Sequence, residues 1–315
     1  MKVVNITHGD DSDGLVCGAL MRRLFDAEVR LANYDDLEEA LEGVDRRVGG
    51  LYITDLNLRP ALLDRIIGIR AHSPIHIIDH HPVSPRFRRE LIRAGAELTL
   101  DKRDCAAVLV YSLYRDRLEQ EAARLAAYAA ISDLFEDGPE ASRILDGMDR
   151  KFVEHEALIL THALAGNPSE EFKGLVLDSL THYAYPHTIR GALDAARSHL
   201  DKVVRVREVV RHEASVEGRV AYMECGDDLS TGEAANIVMD AMGIDVGVCY
   251  KVEDGLVNIS LRGRRRLREN LGVLASRLSE GYGGFGGGHS RASGAKVPKE
   301  KLSAFIHDLV RSLSH

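Results

Sequence analysis

The chain has 315 residues, 45% of them hydrophobic and 29% charged, with a formal net charge of -8. That is the make-up of a globular protein long enough for about two domains, each with its own apolar core. The acidic balance excludes indiscriminate nucleic-acid binding, which needs clustered Lys and Arg, and no apolar segment approaches the length that spans a bilayer.

Met1-Lys2-Val3-Val4 runs straight into a strand pattern instead of a signal peptide, so a cytoplasmic location is expected. Val3 to Thr7 reads as a strand that stops at the acidic turn His8-Gly9-Asp10-Asp11-Ser12-Asp13-Gly14. An apolar helix pattern follows at Leu15, Val16, Ala19, Leu20 and Leu24, which places the acidic cluster between a strand and a helix, where backbone N–H groups face a ligand. Glu28 to Ala32 is a second strand and Leu37 to Leu41 a short helix. Leu51 to Thr54 is a third strand, ending at Asp55. Asn57 is placed to cap a helix with Pro60 in its first turn and Leu62, Leu63, Ile66 and Ile67 on its apolar face.

Ile75 to Ile78 is a fourth strand, and it delivers Asp79-His80-His81 at its carboxyl end. A basic helix near Phe87 to Ala94, a strand at Glu97 to Leu100 and a helix from Ala106 to about Leu118 come next. An Ala-rich helix, Glu121 to Ile131, leads into Ser132-Asp133-Leu134-Phe135. Strands alternating with helices predict an α/β fold with a doubly wound, mostly parallel sheet.

From Glu140 to about Arg211 the periodicity is helical, broken at Gly166-Asn167-Pro168 and Tyr185-Pro186. The last helix, from Ile189, carries both charge signs, as a connector does. A smaller α/β unit then opens with a strand at Arg219 to Met223 and a helix at Glu233 to Met242. The strands Val246 to Val252 and Leu256 to Leu261 are joined by a Glu253-Asp254-Gly255 hairpin turn. The arginine run Arg262 to Arg268, a helix from Leu271 to Leu278, the glycine run Gly281 to His289 and an amphipathic helix from Leu302 to Leu313 complete the chain. The expected division is a catalytic domain over 1–188, a helical linker over 189–215 and a substrate-binding domain over 216–315.

Cys17, Cys105, Cys225 and Cys249 are far apart and form no CxxC pair. Buried thiols are expected of them, with neither a zinc knuckle nor a disulfide framework. His155, His162, His182 and His187 are expected as structural histidines.

Four strand ends or turns of the first domain carry His or Asp: His8/Asp10/Asp11/Asp13, Asp55, Asp79/His80/His81 and Asp133. In a parallel sheet such ends lie along one edge, so residues distant in sequence converge on one crevice. A lone Asp there is usually a turn or helix cap, but adjacent ionisable groups closing an apolar strand are costly to bury unless paired or metal-bound. Carboxylates with a few imidazoles and no thiolate suit manganese(II), with magnesium or cobalt as substitutes. The ligands suffice for two Mn2+ sharing a bridging carboxylate, an arrangement that supplies a hydroxide nucleophile and stabilises the leaving oxygen in phosphoryl hydrolysis.

These four motifs, in this order, together with Gly286-Gly287-Gly288-His289, resemble a DHH-family phosphoesterase of the DHHA1 branch over nearly the whole chain. That group includes RecJ-type exonucleases, nanoRNase-like oligoribonucleases and cyclic-dinucleotide phosphodiesterases. The resemblance implies that His8, Asp11, Asp13, Asp55, His80 and Asp133 are metal ligands, with Asp55 bridging. It implies that His81 faces the phosphate and that Asp79 orients a histidine from behind. The first motif is spaced one residue away from the family's usual forms, so either Asp10 or Asp11 accompanies Asp13; the retained Asp-x-Asp-Gly favours Asp11.

In the second domain Arg262, Gly286, Gly287, Gly288 and His289 are expected to hold the substrate, the arginine as a phosphate clamp and the glycines as a backbone-lined pocket. The expected activity is a manganese-dependent phosphodiesterase or exonuclease acting on short single-stranded RNA or DNA and releasing 5′-mononucleotides. The alternatives are a small-nucleotide phosphoesterase acting on a cyclic dinucleotide or phosphoadenosine phosphate, and a non-catalytic replisome scaffold. A scaffold is expected to have lost ligands, and none is missing here. The expected partners are the oligonucleotide or small nucleotide and a second copy of the chain as a homodimer, with no membrane.

Overall fold

The computed structural model describes residues 1–34, 36–45, 47–70 and 72–314. The chain forms two compact units, Met1–His199 and Leu200–His315.

The first unit alternates strand and helix: β1 (Val3–His8), α1 (Ser12–Phe25), β2 (Glu28–Ala32), α2 (Leu37–Glu42), β3 (Gly50–Thr54), α3 (Leu63–Arg70), β4 (Ile75–Asp79), α4 (Pro85–Arg93), β5 (Glu97–Leu100) and α5 (Ala106–Tyr114). Helices α6 (Ala122–Ser132), α7 (Pro139–Leu145), α8 (Arg150–Gly166), α9 (Glu170–Thr181) and α10 (Ala192–Glu213) follow, the last running across the boundary at residue 199. The five strands are all parallel, in the order β2-β1-β3-β4-β5. The chain moves outward from β1 to β2 and then returns to pair β3 on the other side of β1. This reversal opens a crevice at the carboxyl ends of β1 and β3, where ligands of such sheets bind.

Period-two alternation sends side chains to two cores. Val4, Ile6, Leu51, Ile53, Ile75 and Ile77 pack with Leu37, Leu41, Ile66, Phe87 and Leu91 of α2, α3 and α4. Tyr52 and Ile78 point the other way, into a core built on α1, α5, α6, α8 and α9. On that face β1 buries Asn5 and Thr7: the Asn5 amide donates to Thr54 Oγ1 (3.0 Å) and the Thr7 hydroxyl to the Gly14 carbonyl (2.8 Å), while Asn5 Oδ1 has no hydrogen-bond partner among the described residues. Gly14 is required by close approach, because a Cβ there would lie 2.1 Å from the His8 carbonyl oxygen.

Several expectations need correction. Asn57 caps no helix: Arg59, in an extended conformation, precedes a single 3-10 turn at Pro60–Leu62, and α3 begins only at Leu63. Asp133 follows the Ala-rich helix as expected, as the C-cap of α6.

The second unit contains β6 (Ser215–Glu217), β7 (Val220–Glu224), α11 (Thr231–Ala241), β8 (Val246–Glu253), β9 (Leu256–Gly263), α12 (Leu271–Gly281), β10 (Phe285–Gly288), β11 (Ala292–Pro298) and α13 (Leu302–Ser312). They build a six-stranded sheet, β10-β11-β9-β8-β7-β6, in which only β7 and β8 pair in parallel among the described residues. The β8–β9 hairpin turns through Asp254 and Gly255, both at positive φ, as a tight right-twisted hairpin requires. Ser230 and Glu233 cap α11 reciprocally. Helices α12 and α13 cover one face of the sheet, and α11 with Val210 of α10 covers the other.

Strands β6 and β11 were not foreseen. The glycine run is itself β10, paired along β11 from Phe285↔Lys296 to Gly288↔Ser293. Cys17 and Cys105 are buried thiols. Cys225 and Cys249, by contrast, form a disulfide with Cα atoms 5.7 Å apart, because β7 and β8 run side by side. Among the described residues no helix is long and apolar enough to cross a membrane.

Candidate metal and phosphate site

At the carboxyl edge of the parallel sheet the end of β1, the first turn of α1, the residue after β3, the end of β4 and the C-cap of α6 converge. They bring together His8, Asp11, Asp13, Asp55, Asp79, His80, His81 and Asp133.

Asp11 is the N-cap of α1: one oxygen accepts from the Gly14 N–H (3.0 Å) and the other faces His8 Nδ1 at 2.9 Å. Asp10, the other candidate of the first motif, turns aside to Lys173 Nζ of α9 at 2.7 Å. Asp13 is held from the first turn of α5, whose Ala106 and Ala107 N–H groups each donate at 2.8 Å to one of its oxygens. Its Oδ2 lies 3.9 Å from His80 Nε2. Asp55 has left-handed backbone (φ 54°), which aims its buried carboxylate back into the crevice. Its Oδ1 is 3.2 Å from His80 Nε2 and its Oδ2 is 3.9 Å from His8 Nδ1, so its two oxygens look to two different groups. Asp133 Oδ2 is 3.6 Å from His80 Nε2.

Asp79 lies behind the histidines. Its Oδ1 accepts from the His80 N–H (2.8 Å), the His81 N–H (3.2 Å) and His81 Nδ1 (2.8 Å).

Among the described residues, donor atoms within 4.8 Å of one another fall into three sets: His8, Asp11 and Asp55; Asp13, His80 and Asp133; and Asp55, Asp79, His80 and His81. The electrostatics show what such a cluster lacks. Asp55 Oδ2, Asp79 Oδ2 and Asp133 Oδ2 are buried with no hydrogen-bond partner among the described residues. Burial, then Asp13, Asp11 and Asp79, push the Asp133 carboxyl up to about 9, and burial, then Asp11, push Asp13 up to about 6. Burial and the surrounding carboxylates raise Asp55 well above the carboxylate range. Asp11 goes the other way: burial pushes it up, but the His8 hydrogen bond and charge outweigh burial and leave it lowered. Orphaned carboxylate oxygens crowded with imidazoles at low exposure fit divalent cations, which supply the charge that this site otherwise takes from protons.

Two aromatic side chains of the site carry no motif. Tyr34 follows β2 on the same sheet edge, stacks on His8 (ring centroids 4.9 Å apart, 26°) and places its hydroxyl 3.2 Å from His81 Nε2. Burial and the nearby carboxylates raise its phenol above the ordinary range. The rule that strand ends line one edge would have found it. Phe135 meets His80 edge-on at 4.9 Å. Lys173, from the helical region, gave no sequence signal; it neutralises Asp10 and also pairs with Glu170 at 2.8 Å.

In the second unit Arg262 leaves β9 over Gly232 of α11, where any Cβ would collide with its guanidinium. Among the described residues no carboxylate pairs with it; it donates to the Leu261 carbonyl (3.0 Å), and burial lowers its pKa. The rest of the arginine run divides. Arg264 donates to the Ile244 and Met239 carbonyls, and Arg266 pairs with Asp245, so both hold the fold together.

A hollow of about 410 Å³ is lined by Thr231, Ser260, Phe285, Gly286, Gly287 and Lys296, among others. Gly286 and Gly288 serve packing: a Cβ on Gly286 would lie 2.9 Å from the Ala275 carbonyl oxygen of α12, and one on Gly288 would lie 2.8 Å from the Ala292 carbonyl oxygen. Gly287 has nothing within 4 Å of its Cβ direction and faces open space. The His289 N–H donates to the Ala292 carbonyl (2.8 Å), closing the β10–β11 turn.

Residues 217–314 match the DHHA1 domain family. The search of curated proteins found no match. Among solved structures, a DHH domain described as a member of the s1p family of ribosomal proteins is 15% identical, with a TM-score of 0.73 over 99% of this chain and 86% of that one. Exonuclease RecJ bound to manganese is 15% identical, with a TM-score of 0.65 over 100% and 90%. The pGpG-specific phosphodiesterase PggH from Vibrio cholerae is 14% identical, with a TM-score of 0.60 over 99% of both chains.

Proposed function

On the premise that the chain carries a DHHA1 domain and has the two-unit fold of RecJ and other DHH proteins, we propose that it is a manganese-dependent phosphodiesterase cleaving short single-stranded oligonucleotides to 5′-mononucleotides. The observation that carries the reading is the set of orphaned oxygens of Asp55, Asp79 and Asp133 among imidazoles at the switch point of the sheet.

His8, Asp11 and Asp55 would hold one cation, and Asp13, His80 and Asp133 a second, with Asp55 standing between the two sets. Such a pair supplies a hydroxide nucleophile and charge stabilisation for in-line displacement at phosphorus. The protein does the rest. The N–H groups of α5 hold Asp13, and Gly14 brings α1 against β1 so that Asp11 reaches His8. Asp79 fixes the ring of His81, whose Nε2 would meet the phosphate. In the second unit Arg262, with a guanidinium that no carboxylate engages among the described residues, would take a phosphate of the strand, and the face at Gly287 would admit the sugar-phosphate backbone.

The similarity to PggH over 99% of both chains supports a second reading, a small nucleotide as substrate. Initial rates with manganese on end-labelled oligomers of graded length, long single strands, and linear and cyclic dinucleotides separate the two. The first reading expects rates that peak on oligomers of a few nucleotides. Turnover confined to dinucleotides selects the second, and fast turnover of long strands alone overturns both in favour of a RecJ-like exonuclease.

A further inference from the structure

His81 is gripped at both ends of its ring. Nδ1 lies 2.8 Å from Asp79 Oδ1 and Nε2 lies 3.2 Å from the Tyr34 hydroxyl. A carboxylate only accepts, so Nδ1–H donates to Asp79, while Nε2 faces a hydroxyl that can serve as donor or acceptor. Tyr34 also stacks on His8 and stands edge-on to His81 (5.9 Å, 78°), so one side chain touches both the metal-binding group and the phosphate-facing one. Nothing in the motifs assigns it a role.

We propose that Tyr34 is a positioning residue for the hydrolysis proposed above: with Asp79 it aims His81 Nε2 before substrate arrives, and on binding it gives up its place to a phosphate oxygen, to which the Nε2 N–H donates. The inference rests on that reading of the site. A ring free to turn about its side-chain bonds would have to be ordered at the moment of reaction; held from both ends, it is already in place. The hydroxyl acts only through His81, whereas the ring acts on His8, and two substitutions separate these effects.

Tyr34→Phe keeps the ring and removes the hydroxyl. Its expected result is a kcat on a short oligonucleotide lower by roughly tenfold, the scale of losing a group that supports a functional side chain, with KM and Mn2+ affinity by calorimetry unchanged. In a His81→Ala background the same substitution should have no further effect. In nitrogen NMR of the labelled, metal-free protein, the His81 Nε2 signal, identified by its loss in His81→Ala, should move in Tyr34→Phe. Tyr34→Leu should in addition weaken Mn2+ binding, as His8 loses its stacking partner. An equal loss from Tyr34→Phe in both backgrounds, or an unmoved Nε2 signal, overturns the proposal. Failure of the hydrolysis reading looks different: the wild type is then inert on every substrate, while the imidazole signal and Mn2+ affinity still decide the role of Tyr34.

Discussion

The crevice of the first unit and the hollow of the second are built from opposite materials. In the first, carboxylates and imidazoles from β1, α1, β3, β4 and α6 are crowded until several oxygens lack a hydrogen-bond partner among the described residues. In the second, glycine backbone, the hydroxyls of Thr231 and Ser260, Phe285 and Lys296 line an uncrowded surface. The contrast separates two ways of building a site. One crowds carboxylates whose charge protons or a cation would relieve, at a cost to the protein that holds neither. The other stores little, and its glycines are retained as much by helix-on-strand packing as by anything they would bind.

Removing charge from the first site should have the largest effect. Asp55→Asn loses the carboxylate that faces both donor groups, so Mn2+-dependent hydrolysis should fall by more than about a hundredfold, beyond what loss of a mere supporting residue costs. Calorimetry should show weaker Mn2+ binding. Retained activity would mean that Asp55 bridges nothing.

The pH dependence of the metal-free protein should come next. Asp13 at about 6 and Asp133 at about 9 stand above their unfolded values, so the native state binds more protons than the unfolded one between those limits. Metal-free stability should therefore fall as pH rises from about 4 towards about 9. Melting temperature measured across that range in chelator should decline, and saturating Mn2+ should flatten the decline. A chelator curve that rises with pH would show that the carboxylates are already compensated.

Arg262→Gln should act on binding, not chemistry. Losing one charge-assisted phosphate contact, worth about 1.5–3 kcal/mol, should raise KM by roughly 10- to 100-fold with kcat little changed. A fall in kcat alone would remove the clamp.

The smallest effects should distinguish packing glycines from open ones. A Cβ on Gly272 would lie 2.2 Å from the Gly288 carbonyl oxygen. Gly272→Ala should cost about 1–3 kcal/mol in denaturant unfolding, as overpacking does. Gly287→Ala, with open space around its Cβ direction, should cost less, about 1 kcal/mol, from its positive φ of 156°. Equal costs would mean that α12 can give way.

Much of the first unit was legible because its signals are local. Apolar runs of strand length closed by turn chemistry mark β1, β3 and β4, and Asp79-His80-His81 after such a run is too costly to bury without purpose. Where local signals conflict with neighbours, reading stopped. A run of glycines reads as a backbone-lined pocket with no strand in it until β11 supplies the partner that makes it β10. Cys225 and Cys249 read as separate thiols until β7 and β8 lie side by side.

The order and chemistry of the motifs belong to the sequence alone, since residue type and spacing along a strand or helix set which groups can reach one edge. Tertiary structure decided the rest. It turned Asp10 to Lys173 and Asp11 to His8, it set Tyr34 between His8 and His81, and it left one oxygen each of Asp55, Asp79 and Asp133 without a hydrogen-bond partner among the described residues. Each of these depends on distances between elements that are far apart along the chain, and only packing determines those distances.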